Sequence, residues 1–198
     1  MSRTGITGIT TGITSVRHAI YVDAVTVLAE VQFDGKTDGN GEPVYLRITV
    51  TDTPGNPDTQ ILNAIREHCQ PVVPDFVLSI AKTTKRHEIN AWRDAQEDGN
   101  YLLEYNGHRW DYGKATQERM AISLAMAKRN ALPAGFAWTD GDNNIVPMDN
   151  AGLIALSAAI EQAMFEKGLE INQRQLQMKA EVQALTTLDE VRHYPVDW

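Results

Sequence analysis

The feature that most constrains the fold is a helical stretch that opens at Asp149 or Asn150, either of which can cap it, and runs to about Leu185. It is longer than a small domain usually requires, so it must cross a domain or pair with another chain. Met164, Ile171, Met178 and Leu185 recur at intervals of seven, with Val182 adding to the stripe, which is the spacing of a coiled-coil seam. Gly168, Arg174 and Gln175 lie near that seam and favour the other reading, a helix packed across its own domain. Beyond it, Thr187-Leu188-Asp189-Glu190 has the form of a capping box, because hydroxyl and carboxylate can each satisfy an unpaired N–H. Pro195 ends that short helix and Trp198 follows as a candidate anchor.

Upstream of the long helix the signals are strong and local. Tyr101 to Tyr112 contains Asn106-Gly107, the strongest two-residue hairpin signal, with Leu103 and Tyr105 on one arm and Trp110 and Tyr112 on the other. Phe136 to Met148 repeats the pattern around Asp140-Gly141-Asp142-Asn143-Asn144. Between the hairpins, Thr116 to Ala131 is amphipathic, with Met120, Leu124 and Ala127 on one face and Pro133 closing it. A further helix is expected from about Lys85 to Glu97, with Thr84 as N-cap, Ile89 and Trp92 on one side, and Gly99 as the stop.

The N-terminal half reads differently. Gly5-Ile6-Thr7, Gly8-Ile9-Thr10 and Gly12-Ile13-Thr14 form a short repeat that cannot make a core alone. It is either a frayed terminus or an arm whose Ile6, Ile9 and Ile13 lie along a neighbouring subunit. Ala19 to Phe33 reads as strand, and Val44 to Val50 alternates as its hairpin partner across the turn-rich Asp34 to Glu42. Asp58 to Cys69 carries Ile61, Leu62 and Ile65 at helical spacing and is expected to cover the sheet. Pro71 and Pro74 follow, then Phe76 to Ile80 reads as one more strand. The expected class is α+β, divided as an extended arm (1–15), a β-rich docking module (16–83) and an α+β domain of helices and two hairpins (84–198).

A chain of 198 residues, 42% apolar and 22% charged, can bury one sizeable core or two small ones. A net charge of −8, with no compensating basic cluster, disfavours nucleic acid as a partner. Cys69 is the only cysteine, so no intrachain disulfide forms, which fits folding in a reducing cytoplasm. Neither a secretion signal in Met1 to Ser15 nor a membrane-length apolar run is expected, and the protein is expected to stay soluble.

Tests for chemistry fail one by one. Gly35-Lys36-Thr37 resembles the end of a phosphate loop, but Glu30 stands where its first glycine belongs. His87-Glu88 begins like a zincin helix, with Ala91 where the second histidine is needed. Asp140, Asp142 and Asn144 start like a calcium loop, but Ile145 replaces the turn glycine and Ala151 the bidentate glutamate. His68 beside Cys69 points a different way on a helix, so the thiol reads as a small hydrophobe. No catalytic, cofactor or metal residue is nominated. His108 to Tyr112 alternates polar and aromatic groups on one strand, which suits glycan or protein contact through Arg109, or plain core packing of Trp110 and Tyr112.

One series of motifs carries a resemblance: Lys85-Arg86-His87-Glu88-Ile89-Asn90-Ala91-Trp92-Arg93-Asp94, then Tyr105-Asn106-Gly107-His108-Arg109-Trp110-Asp111, Trp138-Thr139-Asp140-Gly141-Asp142-Asn143-Asn144, and Leu185-Thr186-Thr187-Leu188-Asp189-Glu190-Val191. In that order they resemble a domain family of unknown function found in phage and prophage tail proteins. The resemblance covers Lys85 to Trp198, a little over half the chain, and brings no catalytic residues with it. It implies a tail context: a virion structural protein of the tail tip, baseplate or fibre region, or alternatively a tail fibre assembly chaperone absent from the mature particle. The implied partners are other tail, baseplate or fibre subunits and further copies of the chain, in the virion after synthesis in the host cytoplasm. The interface candidates are Ile6, Ile9, Ile13, Arg109, Met164, Ile171, Met178 and Trp198. A cryptic glycan or cell-wall hydrolase is disfavoured, since no paired carboxylates or nucleophile and base stand in a recognisable motif.

Overall fold

The structure, a computed structural model, describes residues 12–198 and is α+β. It divides into two compact units, one whose described part is 12–85 with Val182–Tyr194, the other Arg86–Glu181 with Pro195–Trp198.

The first unit is built on an antiparallel sheet of β1 (Ile13–Tyr21), β2 (Thr26–Phe33) and β3 (Leu46–Thr51), in that order. Sequence reading expected one strand over Ala19 to Phe33; the chain turns instead at Asp23, whose Oδ1 accepts from the N–H groups of Val25 (2.8 Å) and Thr26 (2.7 Å). The expected arm therefore ends in sheet, with Ile13 paired to Phe33. Alternate residues Val27, Ala29 and Val31 of the central strand are buried with Ile48 and Val50 of β3, as the two-residue period requires. Helix α1 (Thr59–His68) covers them with Leu62 and Ile65. On the other face Arg17, Glu30 and Arg47 sit opposite one another across the three strands. The Glu30 carboxylate takes His18 Nδ1 at 3.1 Å, Arg47 at 3.2 Å and Arg17 at 2.9 Å, and those bonds hold its pKa down to about 2.

The expected strand at Phe76 to Ile80 is the start of a helix. Helix α2 (Asp75–Glu97) opens behind Pro74, whose carbonyl accepts from Val77 (2.9 Å). Burial then recurs every four residues at Val77, Ala81, Lys85 and Ile89, a helical repeat that the β-branched run concealed. Thr84 is consequently no N-cap: its hydroxyl donates to the Ile80 carbonyl, as Thr83 does to Ser79, the bonds of helix-interior threonines. The domain division also changes. Leu188 and Val191 of α5 (Leu188–His193) are buried in the first core, so residues 182–194 return to the N-terminal unit. The Thr187–Glu190 capping box forms as read.

In the second unit, β4 (Tyr101–Tyr105) and β5 (His108–Tyr112) pair Leu103 with Trp110 across a turn with Asn106 at φ 52° and Gly107 at φ 78°, the left-handed pair a tight hairpin needs. Helix α3 (Lys114–Ala127) buries Met120 and Ala127, and β6 (Ala137–Thr139) with β7 (Ile145–Pro147) makes the second hairpin. Helix α4 (Asn150–Ala184) presents Leu153, Leu156 and Ile160 to this core, alongside Trp110. Farther along, Gln175 donates to Asn90 of α2 at 3.0 Å. No helix of the described residues is long and apolar enough to cross a membrane.

Candidate interaction surfaces

A polar concavity lies between the tips of the two hairpins, a cleft of about 570 Å³ lined among others by Glu104, Asn106, His108, Arg109, Asp142 and Asn144. Asp140 organises it. Its Oδ1 accepts from the N–H groups of Asp142 (3.0 Å) and Asn144 (2.8 Å), and its Oδ2 from Asn144 Nδ2 and His108 Nδ1, both at 3.0 Å. Gly141 then donates to the Arg109 carbonyl at 2.6 Å, locking one hairpin to the other. A Cβ at Gly141 would meet Leu102 Cδ2 at 2.7 Å and that carbonyl at 3.1 Å, so glycine lets the two hairpins approach without displacing the Leu102 side chain or crowding the carbonyl. The loop that opens like a calcium site is thus a self-satisfied turn whose first carboxylate is spent on protein donors. Among the described residues no group of His, Cys, Asp and Glu could hold a metal ion. What the cleft offers a partner is hydrogen bonding, from Glu104, the imidazole edge of His108 and Arg109, whose guanidinium also meets Asp142 at 3.2 Å in an exposed pair of small worth.

The Asn144 amide, together with the backbone donors and His108, overcomes burial and brings Asp140 to about pKa 2. Glu30 is depressed to a similar value, so both carboxylates bind protons more weakly folded than unfolded, where they titrate near 4. Their contribution is complete above pH ~4 and is lost as pH falls through about 2. The urea midpoint should therefore hold from neutrality down to about pH 5 and drop below about pH 4; a midpoint that rises on acidification would contradict the sign.

A second cluster serves the fold. Asp52, just past β3, accepts from the Tyr21 hydroxyl, from Arg66 at 2.9 Å and from Arg192 at 2.6 Å, while Arg192 also donates to the Ala24 carbonyl. Burial alone would raise the Asp52 pKa; the Tyr21 and Arg192 bonds and the two guanidinium charges hold it low. Arg192 stands 140 residues from Asp52, and the cluster fastens α5 to the N-terminal sheet.

The residues nominated from sequence scatter. Ile6 and Ile9 lie outside the described residues, and Ile13 is half-buried against the first core. Arg109 reaches the rim of the hairpin cleft. Ile171 and Met178 are 2% and 0% exposed, and Met164 packs partly against the second core, so the heptad seam is buried within the chain. The physical reason is that a helix packed along its own domain repeats its contacts at nearly the same period as a coiled coil. Trp198 meets Trp92 edge to face at 5.1 Å, and Lys167 sits 4.4 Å over its ring, so its role is anchoring the chain end within the second unit, though half its surface stays exposed. Sequence reasoning missed a different face of α4, on which Phe165 is 67%, Leu169 47% and Leu176 58% exposed. Its signal, Phe165, Leu169 and Leu176 at intervals of four and seven, was present.

A family model described as "Domain of unknown function (DUF4376)" matches residues 80–194. No curated protein and no solved structure matches.

Proposed function

This chain belongs to the family described as a domain of unknown function (DUF4376), and from that premise we propose that it is a structural protein of a bacteriophage tail, in the tip, baseplate or fibre region, acting through subunit interfaces in assembly and host attachment. The observation that carries the reading is that each folded unit leaves large apolar side chains in solvent: Val72, Phe76 and Ile80 in the first, Phe165, Leu169 and Leu176 in the second. Side chains of that size grouped on a folded surface mark protein contact. The tail context rests on the ordered motif series in residues 85–198 and its resemblance to tail proteins. The rim of the hairpin cleft, with Arg109, adds a polar surface suited to a fibre or receptor contact.

Quantitative mass spectrometry of purified particles from the genome that encodes the chain tests this. A copy number in fixed ratio to a known tail component is the expected result. Presence in infected cells with absence from particles would overturn it in favour of a fibre assembly chaperone.

A further inference from the structure

The outward face of α4 carries a coiled-coil pattern of its own. Gln162, Phe165, Leu169, Asn172, Leu176 and Lys179 alternate three and four residues apart, the spacing of a and d positions, and all but the half-buried Lys179 are exposed. Charge is divided along the same face. Glu161 and Glu166 flank its N-terminal half and are bonded to the neutral groups of Ser157 and Gln162. At the other end the half-buried Lys179 lies near Arg93 and Arg86, so that end is positive; burial and these two like charges depress its pKa.

We infer that this face pairs with the same face of a second copy of the chain, antiparallel about a twofold axis between Leu169 and Asn172. That register sets Phe165 against the partner's Leu176 and Leu169 against the partner's Asn172. It also brings Lys179 to the partner's Gln162, between the partner's Glu161 and the partner's Glu166. The acidic and basic ends, about 27 Å apart on one helix at 1.5 Å per residue, thus meet their opposites twice. A parallel pair would stack Glu161 and Glu166 on their own copies and Lys179 on its own. The inference deepens the assembly reading and rests on it for its purpose, but its test reads the isolated chain.

Sedimentation equilibrium of the full chain should show a dimer that weakens with added salt. Leu169→Glu should give a monomer with an unchanged helical circular dichroism spectrum. Lys179→Glu should weaken the dimer by about tenfold in Kd, and adding Glu161→Lys with Glu166→Lys to that variant should restore it. A wild-type monomer at all concentrations would overturn the inference, as would a dimer indifferent to Leu169→Glu. A dimer indifferent to Lys179→Glu, as a parallel pair with residue 179 facing its own copy would be, would overturn it equally. None of these outcomes moves the copy number in particles, so the two readings fail separately.

Discussion

Asp52→Ala is expected to cost the N-terminal unit about 2 kcal/mol, the scale of stripping the shared acceptor from a half-buried cluster of donors. The substitution leaves the guanidinium groups of Arg66 and Arg192 and the Tyr21 hydroxyl without their shared acceptor. Its effect is local. Hydrogen exchange should accelerate in β1, β3, α1 and α5, the elements that the carboxylate joins, and the urea midpoint of that unit should fall. All four tryptophans, Trp92, Trp110, Trp138 and Trp198, belong to the other unit, so their fluorescence supplies an internal control. Tyr21 gives an independent reading: burial first, then the Asp52 bond and charge, raises its pKa, and removing Asp52 should let it titrate lower. Exchange rates unchanged in α5 would show that Asp52 does not hold that helix.

The second large effect separates the two faces of α4. Ile171→Ala removes a side chain that is 2% exposed and should destabilise the second unit by about 3 kcal/mol, read as an earlier tryptophan fluorescence transition in urea. Phe165→Ala, six residues away, removes a larger side chain that stands mostly in solvent and should shift stability by no more than about 0.5 kcal/mol at concentrations where the chain is monomeric. Equal losses at both positions would mean that the outward face is covered within the chain, and the pairing surface would go with it.

These two positions also show what the sequence could decide about α4: a helix packed across its own domain was the favoured reading and the burial of Ile171 and Met178 agrees with it, whereas their place among the interface candidates does not stand. Periodicity reports that a helix has an apolar stripe and says nothing of what covers it. Met164, Ile171 and Met178 satisfy a heptad because α4 packs along its own domain, and the exposed stripe through Phe165, Leu169 and Leu176 has nearly the same spacing. Choosing between them requires knowing where Asn90 of α2 lies, 85 residues before the Gln175 that it meets. The strand expected at Phe76 to Ile80 failed for a related reason: a five-residue run with Phe76, Val77 and Ile80 fits both periods, and the buried Ala81, Lys85 and Ile89 that continue the helix lie outside so short a window.

What the sequence alone determined was everything that neighbours along the chain can decide. The Asn106-Gly107 hairpin, the second hairpin about Asp140, the Thr187–Glu190 capping box, the α1 cover and the great length of α4 were all legible, because turn and cap chemistry acts within four residues and amphipathic faces repeat within a few turns. Tertiary structure alone decided which contacts close over long stretches of chain. It returned residues 182–194 to the N-terminal unit through Asp52 and Arg192, tied His108 to Asp140, and turned one face of α4 inward and the other out. The reason is physical: a charged side chain becomes a staple, and an apolar stripe a core or an interface, only through what packs against it, and that partner is chosen by the whole fold.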